Sequence, residues 1–523
     1  MQRQSEVFQP GRPSPARSVM KPSSPIIRMR KKKMHAFASF LLILLLNGPI
    51  FAATSTDPCL PIDPPSADAV LNSPKKVFAH YFYPFPISID NLVWTKDYYT
   101  VNYLNPHGEN NKFLGQGGFL RARPLPSAPM AASNWQSLNM QKEIRLAIAR
   151  GINGFAFNVM STGEAAAGGK LQMMLQAAQA VDPRFKILLM PDMSALAGNT
   201  SAVTTIVKAV YAHPSLYHHT DGRLVLSPFS SERVSPSAWS STLNGLKAQG
   251  INIAFLPTFG SLAQTYVDQY ASISVGLGNW ANPGTPDQLS WTLLGASRVR
   301  SSRAPIFLAG ITPQGYRPKD FIYDEAYNSL AYRNAWAGVI QSKADIVHIA
   351  TWSDFTESTH IAPAMSATGD SGTGFYNLTG YYSTWYRTGV QPAITHDVLY
   401  YFYRKESTQA AAPAQSQTTR LSYPQTPQDK VEVLAFLKAP GTIFVQTGGT
   451  TYTKTVSAGV QSFTVPLGAG TPDIKLMRAG AWAVTVTGNP KIYSNSGLPT
   501  GVLDLTYWSG SASAAGVCTI AMQ

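Results

Sequence analysis

The sequence contains little charge and little cysteine. Only 13% of its 523 residues are charged and only two are cysteines, whereas 44% are hydrophobic and 11% are aromatic. A chain of this length and composition is globular and long enough for more than one domain. Few charges combined with many Tyr, Trp, Asn and Ser residues favour neutral polar ligands over ionic ones. Cys59 and Cys518 could form one disulfide, although the sequence does not fix whether their backbones approach closely enough.

The sequence also lacks an apolar run long enough to anchor it in a membrane. The apolar run Phe37–Leu46 follows the basic stretch Arg28–Lys33 and precedes the small residues of 51–53. This order is typical of a secretory signal peptide. Residues 1–53 carry nine Lys or Arg and one acid, which is +8 of the formal net charge of +14. The segment therefore predicts a secreted protein with its signal peptide at about residues 28–53. Because most of the basic charge lies in this segment, the sequence predicts neither nucleic-acid binding nor membrane association after the signal peptide is removed.

The rest of the chain divides by composition. A Pro-, Asp- and Ser-rich tether is predicted at 54–72, and strand-like and helix-like segments alternate over 73–406. Residues 407–425 are rich in Pro, Gln and Ser and predict a linker. Short β-like runs separated by turn residues follow over 426–523 and predict an accessory antiparallel β-sandwich.

The alternating region predicts a parallel sheet, because its strand-like segments are apolar on both faces. About eight strand–helix units are typical of a (β/α)8 barrel of the TIM type. The predicted fold class is therefore α/β, a barrel followed by a C-terminal antiparallel β-sandwich. A long helix is predicted over Asp324–Ser342. The predicted barrel strands are Val77–Phe82, Gly154–Val159, Lys186–Met190, Leu224–Ser227, Ile253–Pro257, Ile273–Gly276, Ile306–Ala309 and Ile346–Ala350.

One predicted loop, 350–363, concentrates the chemistry. It places Trp352, Asp354, Glu357 and His360 directly after a buried strand. Cleavage of a glycosidic bond needs two carboxyl groups, one to protonate the leaving oxygen and one to activate water or attack the sugar. A sugar face also stacks well on an indole ring. The alternative is a capping or turn cluster, because Asp and Ser are ordinary loop residues.

Other polar residues follow the predicted strands at the end where a barrel carries its active site. Asp192 is a candidate third acid that orients the sugar or tunes the pKa values of the other two, or else a loop residue that binds backbone amides. The predicted substrate-binding residues are His80, Tyr81, Asn158, Asn279, Trp280, Trp352 and His360. Structural roles in the core are the alternative for the histidines and tryptophans of this set.

Motifs for other chemistries are weak or missing. His218 and His219 with Asp221 have the residue types of a metal site, but adjacent histidines do not easily share one ion, so a surface turn is favoured. No Gly-x-Ser-x-Gly motif occurs, and the Gly-rich segment 115–118 lacks the strand–turn–helix setting of a phosphate loop. We therefore predict an enzyme with no metal and no cofactor.

Ordered segments across residues 75–405 resemble glycoside hydrolase family 71, the α-1,3-glucanases often called mutanases. The segments that carry the resemblance are Val77–Tyr81, Ile144–Asn158, Lys186–Met193, Gly222–Phe229, Thr351–Pro363, Tyr381–Arg387 and Leu399–Arg404. The resemblance implies that Asp354 and Glu357 are the catalytic carboxylates, and that the enzyme inverts the anomeric centre without a metal. Inversion requires carboxyl groups about 6.5–9.5 Å apart. We cast Glu357 as the acid, because its longer side chain can reach the leaving oxygen, and Asp354 as the base, although the roles could be exchanged.

The segment 84–139 departs from the family, which usually connects the first strand to the first helix by a short loop. We expect it to lie over the barrel mouth, where it could close one end of the cleft or add sugar contacts. The expected function is a secreted, endo-1,3-α-glucanase-like glycoside hydrolase acting on a polysaccharide, an α-glucan. The alternatives are a hydrolase of another α-linked polysaccharide or a non-catalytic glycan-binding surface protein. In the predicted sandwich, Trp482 and Trp508 are possible stacking residues.

Overall fold

The computed structural model describes residues 57–281 and 287–522. The predicted leader and signal peptide at 1–53 lie outside the described residues. No helix within the described ranges is both long and apolar enough to cross a bilayer.

Parallel strands form the central sheet, which confirms the predicted parallel α/β region. The nine strands are β1 (Lys76–Tyr81), β2 (Gly154–Val159), β3 (Lys186–Pro191), β4 (Leu224–Leu226), β5 (Ile253–Phe255), β6 (Thr258–Phe259), β7 (Gly276–Asn279), β8 (Ile306–Ile311) and β9 (Ile346–Ile349). Their order in the sheet is β5-β4-β3-β2-β1-β9-β8-β7-β6.

The two end strands of this sheet, β5 and β6, are consecutive pieces of one stretch of chain that is interrupted at Pro257. The Thr258 N–H donates to the carbonyl of Pro228 beyond β4 (3.0 Å), and the Gly278 N–H of β7 donates to the carbonyl of Pro257 (2.8 Å). The stretch 253–259 thus bonds to β4 on one side and to β7 on the other. The sheet is curled, and the same stretch of chain supplies the strand at each of its ends.

Helices connect consecutive strands of the sheet, except for the first helix below, which precedes β1, and the last, which follows β9. They are α1 (Ala67–Leu71), α2 (Trp135–Ala149), α3 (Lys170–Val181), α4 (Thr200–Val210), α5 (Pro236–Lys247), α6 (Gln264–Tyr270), α7 (Gln288–Arg300), α8 (Leu330–Ser342) and α9 (Gly374–Thr388). Local sequence explains several starts. Asn199 accepts from the backbone of Ser201 and Ala202 before α4 (3.0 and 3.2 Å), and Ser235 caps α5, which has a proline at its first position.

Two predicted elements differ from the structure by more than two residues at one end or both, whereas the other predicted barrel strands match to within two residues. The helix predicted over Asp324–Ser342 begins only at Leu330, because Tyr327 and Asn328 have positive φ angles of 50° and 61° that a right-handed helix excludes. The strand predicted at Ile273–Gly276 is instead Gly276–Asn279, because residues 271–273 form a turn of 3₁₀ helix.

The concave side of the sheet is apolar at the amino ends of the strands and polar at the carboxyl ends. One buried cluster contains Phe78 of β1, Ala156 of β2 and Ile346 of β9. Side chains alternate along a strand, so the next inward positions are two residues further on. They are His80, Asn158 and His348.

Antiparallel strands follow in two sheets. The strands are β10 (Val398–Arg404), β11 (Lys430–Leu437), β12 (Gly441–Thr447), β13 (Thr450–Val456), β14 (Gly459–Pro466), β15 (Asp473–Arg478), β16 (Ala481–Thr487), β17 (Tyr507–Ser513) and β18 (Gly516–Val517). One sheet has the order β14-β11-β10-β17-β18 and the other β13-β12-β15-β16. A buried cluster contains Tyr401 and Val433 from the first sheet and Val445, Leu476 and Val484 from the second.

The chain around the predicted linker takes part in both regions. Val398–Arg404, which the sequence places in the barrel region, is the middle strand of the five-stranded sheet. Within 407–425, the two-residue strand Arg420–Leu421 pairs with Ile322–Tyr323, which lies in the connection between β8 and α8. The residues between the two regions are therefore packed rather than extended between them.

Candidate active site

The loop after β9 is fixed by hydrogen bonds to the strands on either side. The Trp352 N–H donates to the carbonyl of His80 at the end of β1 (2.8 Å), and the Ala350 N–H donates to that of Ile311 at the end of β8 (2.8 Å). Across the loop, the Thr351 N–H donates to the carbonyl of Thr359 (2.9 Å). These bonds hold the two acids of the loop at the carboxyl ends of the central strands.

Asp354 both caps the loop and carries a raised pKa. Its Oδ1 accepts from the Thr356 N–H (2.9 Å), the Thr356 hydroxyl (2.5 Å) and the Glu357 N–H (3.2 Å). Burial, and then the charge of Glu357, raise the pKa of Asp354 to about 7. The capping role is therefore real, but all three bonds end on Oδ1, which leaves Oδ2 able to hold a proton.

Glu357 faces a guanidinium group. The Nε atom of Arg317 lies 3.1 Å from Oε1, and Nη2 donates to Oε2 at 3.3 Å. Both side chains are about one-third exposed, at 32% for Glu357 and 31% for Arg317. The Tyr316 N–H also donates to the carbonyl of Glu357 (2.8 Å), which ties the acid's backbone to the chain after β8. The ion pair therefore places the carboxylate of Glu357 beside a cation while both remain in contact with solvent.

Three rings lie together at the carboxyl end of the concave side. The Nε2 atom of His348 is 3.3 Å from Nδ1 of His80. The half-buried ring of Trp280 packs against both, with ring centres 4.8 Å from His80 and 5.2 Å from His348. Burial lowers the pKa of His348 to about 3 and holds that of His80 well below its usual value, so both rings are neutral. His80 and Trp280 are thus brought together as predicted site residues.

Asp192 and Asn158 meet beside this cluster. Asp192 Oδ1 accepts from the backbone of Ser194 and Ala195 (2.9 and 3.1 Å), so the backbone-amide role is present. Its Oδ2 accepts from Nδ2 of Asn158 (3.4 Å). The buried Oδ1 of Asn158 has no partner among the described residues. A buried acceptor without a donor is expected to bind a ligand hydroxyl or a water.

Tyr81 and Trp352 are placed differently from the prediction. The Tyr81 hydroxyl donates to Glu143 of α2 (2.7 Å), and the Trp352 indole donates to the same carboxyl group (3.2 Å). Trp352 is 0% exposed and packs on Phe155, with ring centres 5.2 Å apart. Neither residue offers a face or a hydroxyl to a sugar, because both point outward from the sheet toward α2.

His360 and Asn279 also have structural roles. The buried ring of His360 stacks on Phe355, with centres 4.1 Å apart, and burial lowers its pKa to about 3. The side-chain amide of Asn279 donates to the carbonyl of Trp280 (3.1 Å), and its oxygen accepts from the Gly310 N–H (3.3 Å). These contacts hold Asn279 in place at the mouth of the sheet, whereas the buried Nδ1 of His360 has no hydrogen-bond partner among the described residues.

The segment 84–139 packs against the loop 350–363, which carries Asp354 and Glu357. Its residues Phe85 and Tyr99 lie in one buried cluster with Phe355, which stands between the two acids in sequence. Its two-residue strand Arg123–Pro124 pairs with Ala364–Met365, just after the loop. Trp508 lies in the same cluster and is only 1% exposed, so it is not a stacking platform. The segment therefore stabilises the loop 350–363 by apolar packing and by strand pairing.

Sequence reasoning missed Arg317, His348 and Glu143. His348 was detectable, because it shares the inward face of its strand with Ile346. Arg317 lies 40 residues from Glu357 and has no distinguishing pattern around it. Glu143 sits on a helix 209 residues before its partner Trp352. Contacts over such separations depend on the fold.

Comparisons with known proteins identify the family of the chain. A family model described as glycosyl hydrolase family 71 matches residues 130–521. A glucan endo-1,3-alpha-glucosidase of Schizosaccharomyces pombe is 27% identical over 390 residues, which cover 69% of this chain and 87% of the relative. An ascus wall endo-1,3-alpha-glucanase of the same yeast is 26% identical, with 64% and 82% covered. Among solved structures, a GH99 endo-alpha-mannosidase from Bacteroides thetaiotaomicron matches with a TM-score of 0.45 and 14% identity, covering 60% of this chain and 98% of that one.

Proposed function

The chain belongs to glycosyl hydrolase family 71 and is a glycoside hydrolase, and we propose that it hydrolyses α-1,3-linked glucan. Relatives named as endo-1,3-alpha-glucanases support this substrate. The observation that carries the proposal is the pair Asp354 and Glu357 in one anchored loop, with different electrostatic surroundings. A neutral glucan also fits a mouth built from neutral histidines, an amide and an indole.

We assign the acid to Asp354 and the base to Glu357, which exchanges the roles first given to them. A general acid must hold a proton near neutral pH, and the pKa of Asp354 is raised to about 7. A general base must be ionised, and Glu357 pairs with Arg317. In the proposed reaction Asp354 protonates the leaving glycosidic oxygen while Glu357 removes a proton from water. The water attacks the anomeric carbon from the opposite face, which inverts its configuration.

We also interpret the curled parallel sheet as a closed (β/α)8 barrel and the two antiparallel sheets as a β-sandwich. Hydrogen bonding of the stretch 253–259 to both β4 and β7 supports the closure. The apolar cluster common to the two antiparallel sheets supports the sandwich. We propose export as well, with cleavage near residue 53; N-terminal sequencing of protein collected outside the cell tests it.

Reducing-sugar release from insoluble α-1,3-glucan tests the function. Asp354→Asn and Glu357→Gln are each expected to lose at least about 100-fold in rate, the usual contribution of a general acid or base. Asp221→Asn is the matched control, because its carboxyl group is 42% exposed and pairs with Arg223 in a surface turn. Equal activity in all variants would show that the residues are wrong. Activity only on glucans of other linkages would reject the substrate.

An α-glucosyl fluoride substrate tests the assignment of roles. Fluoride leaves with little help from an acid, so Asp354→Asn should recover much of its rate on this substrate, whereas Glu357→Gln should not. Added azide can replace the activated water, so it should restore Glu357→Gln and yield a β-glucosyl azide. The opposite pattern between the two variants would return the acid role to Glu357.

A further inference from the structure

The four-stranded sheet presents a broad outward face. Its inward positions Ile443, Leu476 and Val484 are buried. The alternating positions point the other way, and strand pairing places them in rows across the sheet. Six threonines belong to these rows: Thr442, Thr451, Thr453, Thr455, Thr485 and Thr487. We call this surface the threonine face; all of these threonines except the half-buried Thr442 are exposed.

An aromatic pair lies on the threonine face. Trp482 is 49% exposed. The ring of Phe444 meets it edge-on, with centres 5.1 Å apart and an interplanar angle of 86°. The ammonium group of Lys475 lies 5.4 Å from the centre of the indole ring. An indole held in place by neighbours while half its surface faces solvent is suited to stacking against a flat apolar ligand surface.

The face has no net charge. Lys475 pairs with Asp473 at 2.6 Å, and the other residues of these rows are uncharged: the six threonines, Phe444, Trp482, Gln446 and Met477. Nucleic acids and anionic membranes require an excess of positive charge, which this face does not provide. Hydroxyl groups beside an aromatic ring match a neutral polysaccharide, which offers hydroxyls and apolar C–H faces.

We infer that the threonine face binds the surface of insoluble α-glucan, with Trp482 stacking on a sugar ring and the threonine hydroxyls bonding to neighbouring chains. The inference rests on the proposed function for the identity of the polymer. Four strands spaced about 4.8 Å apart and some seven residues long span roughly 14 by 20 Å. A flat surface of this size contacts packed chains better than a single chain in solution. The face would hold the enzyme on its substrate while the barrel cleaves it.

Co-sedimentation with insoluble α-1,3-glucan tests binding apart from catalysis. The Asp354→Asn variant is used as the parent, so that the polymer stays intact. Trp482→Ala in this background should weaken adsorption by about tenfold. Trp291→Ala is the matched control, because Trp291 on α7 is 50% exposed and lies outside the threonine face. Thr453→Glu is a second variant, which leaves the aromatic pair in place but adds a negative charge; it should also weaken adsorption. Thermal unfolding establishes that each variant is folded.

The same substitutions in the active enzyme complete the test. Trp482→Ala should lower the rate on insoluble polymer and leave the rate on soluble α-1,3-linked oligosaccharides unchanged. Adsorption of both face variants equal to the parent would overturn the inference, as would an equal loss in Trp291→Ala. A dimer that Trp482→Ala dissociates in analytical ultracentrifugation would overturn it in favour of self-association. Failure of the proposed function can be distinguished from failure of this inference. If the proposed function is wrong, the wild-type enzyme is inactive on α-1,3-glucan, irrespective of the adsorption of the Asp354→Asn parent.

Discussion

A buried carboxyl group, that of Glu143, contacts the loop 350–363 and leads to a quantitative prediction about stability. Glu143 of α2 is 3% exposed and accepts hydrogen bonds from the Tyr81 hydroxyl and the Trp352 indole. Burial raises its pKa to about 7, although both hydrogen bonds act in the opposite direction. The perturbation is Glu143→Gln, which keeps the shape and stays neutral at every pH. Its oxygen can accept from Trp352 and its amide can donate to Tyr81.

The magnitude follows from the two states of the chain. Glu143 holds its proton up to about pH 7 when folded, but a glutamate in the unfolded chain loses it at about pH 4.3. The folded state therefore binds more protons between these values, and stability falls as pH rises through this window. At 1.36 kcal/mol per pKa unit, the loss over the whole window amounts to about 4 kcal/mol. The glutamine variant has no such loss.

Denaturant unfolding at pH 5 and pH 8 measures this effect. The free energy of unfolding of wild type should fall by about 2–3 kcal/mol relative to that of Glu143→Gln between the two conditions. Other titrating groups are common to both proteins, so they cancel in the comparison. A difference that stays within about 1 kcal/mol at both pH values would refute a neutral Glu143 in the fold.

Two further predictions concern the termini and the catalytic base. The Cys518 thiol contacts the carbonyl of Pro58 (3.4 Å) and hydrogen-bonds with the Cys59 thiol. Oxidised glutathione should therefore oxidise the two thiols to a disulfide and release two molecules of reduced glutathione. Peptide mass spectrometry would detect the disulfide. The free energy of unfolding of Cys518→Ser should then be about 2–5 kcal/mol lower than that of the oxidised wild type. Two free thiols after the treatment would contradict the prediction. Arg317→Met removes the cation that contacts both carboxylate oxygens of Glu357, so the rate on α-1,3-glucan should fall by about tenfold or more, whereas Arg317→Lys should retain more of the rate because it keeps the charge. An unchanged rate in Arg317→Met would argue against a role for this ion pair in the reaction.

Strand prediction succeeded where local and tertiary preferences agree. The strand at Gly154–Val159 has the predicted bounds, because its aromatic and β-branched residues favour a strand that is buried on both faces. The strand at Gly276–Asn279 was displaced in the prediction. Its sequence, Gly-Leu-Gly-Asn, has little intrinsic preference for a strand, and pairing with the neighbouring strands determines its position.

The candidate site was predictable within the loop and, in part, at the ends of the strands. Asp354 and Glu357 are three residues apart, so any compact loop keeps them together. The outer and inner sides of a strand end are harder to distinguish. His80 and Tyr81 are adjacent in sequence, yet one meets Trp280 inside the sheet and the other binds Glu143 outside it. Alternation predicts that they differ, but the fold decides which of them faces the mouth.

The long segment 84–139 affects the pKa of Asp354 through its packing against the neighbouring residue Phe355. Desolvation is the largest cause of the raised pKa of Asp354, ahead of the charge of Glu357. Phe355 follows Asp354 directly and is buried in a cluster with Phe85 and Tyr99 from this segment. A loop with the same two acids but without this apolar backing would expose Asp354 further to water, where a carboxyl group ionises near pH 4. The segment thus contributes to the raised pKa of Asp354 through the apolar cluster around Phe355.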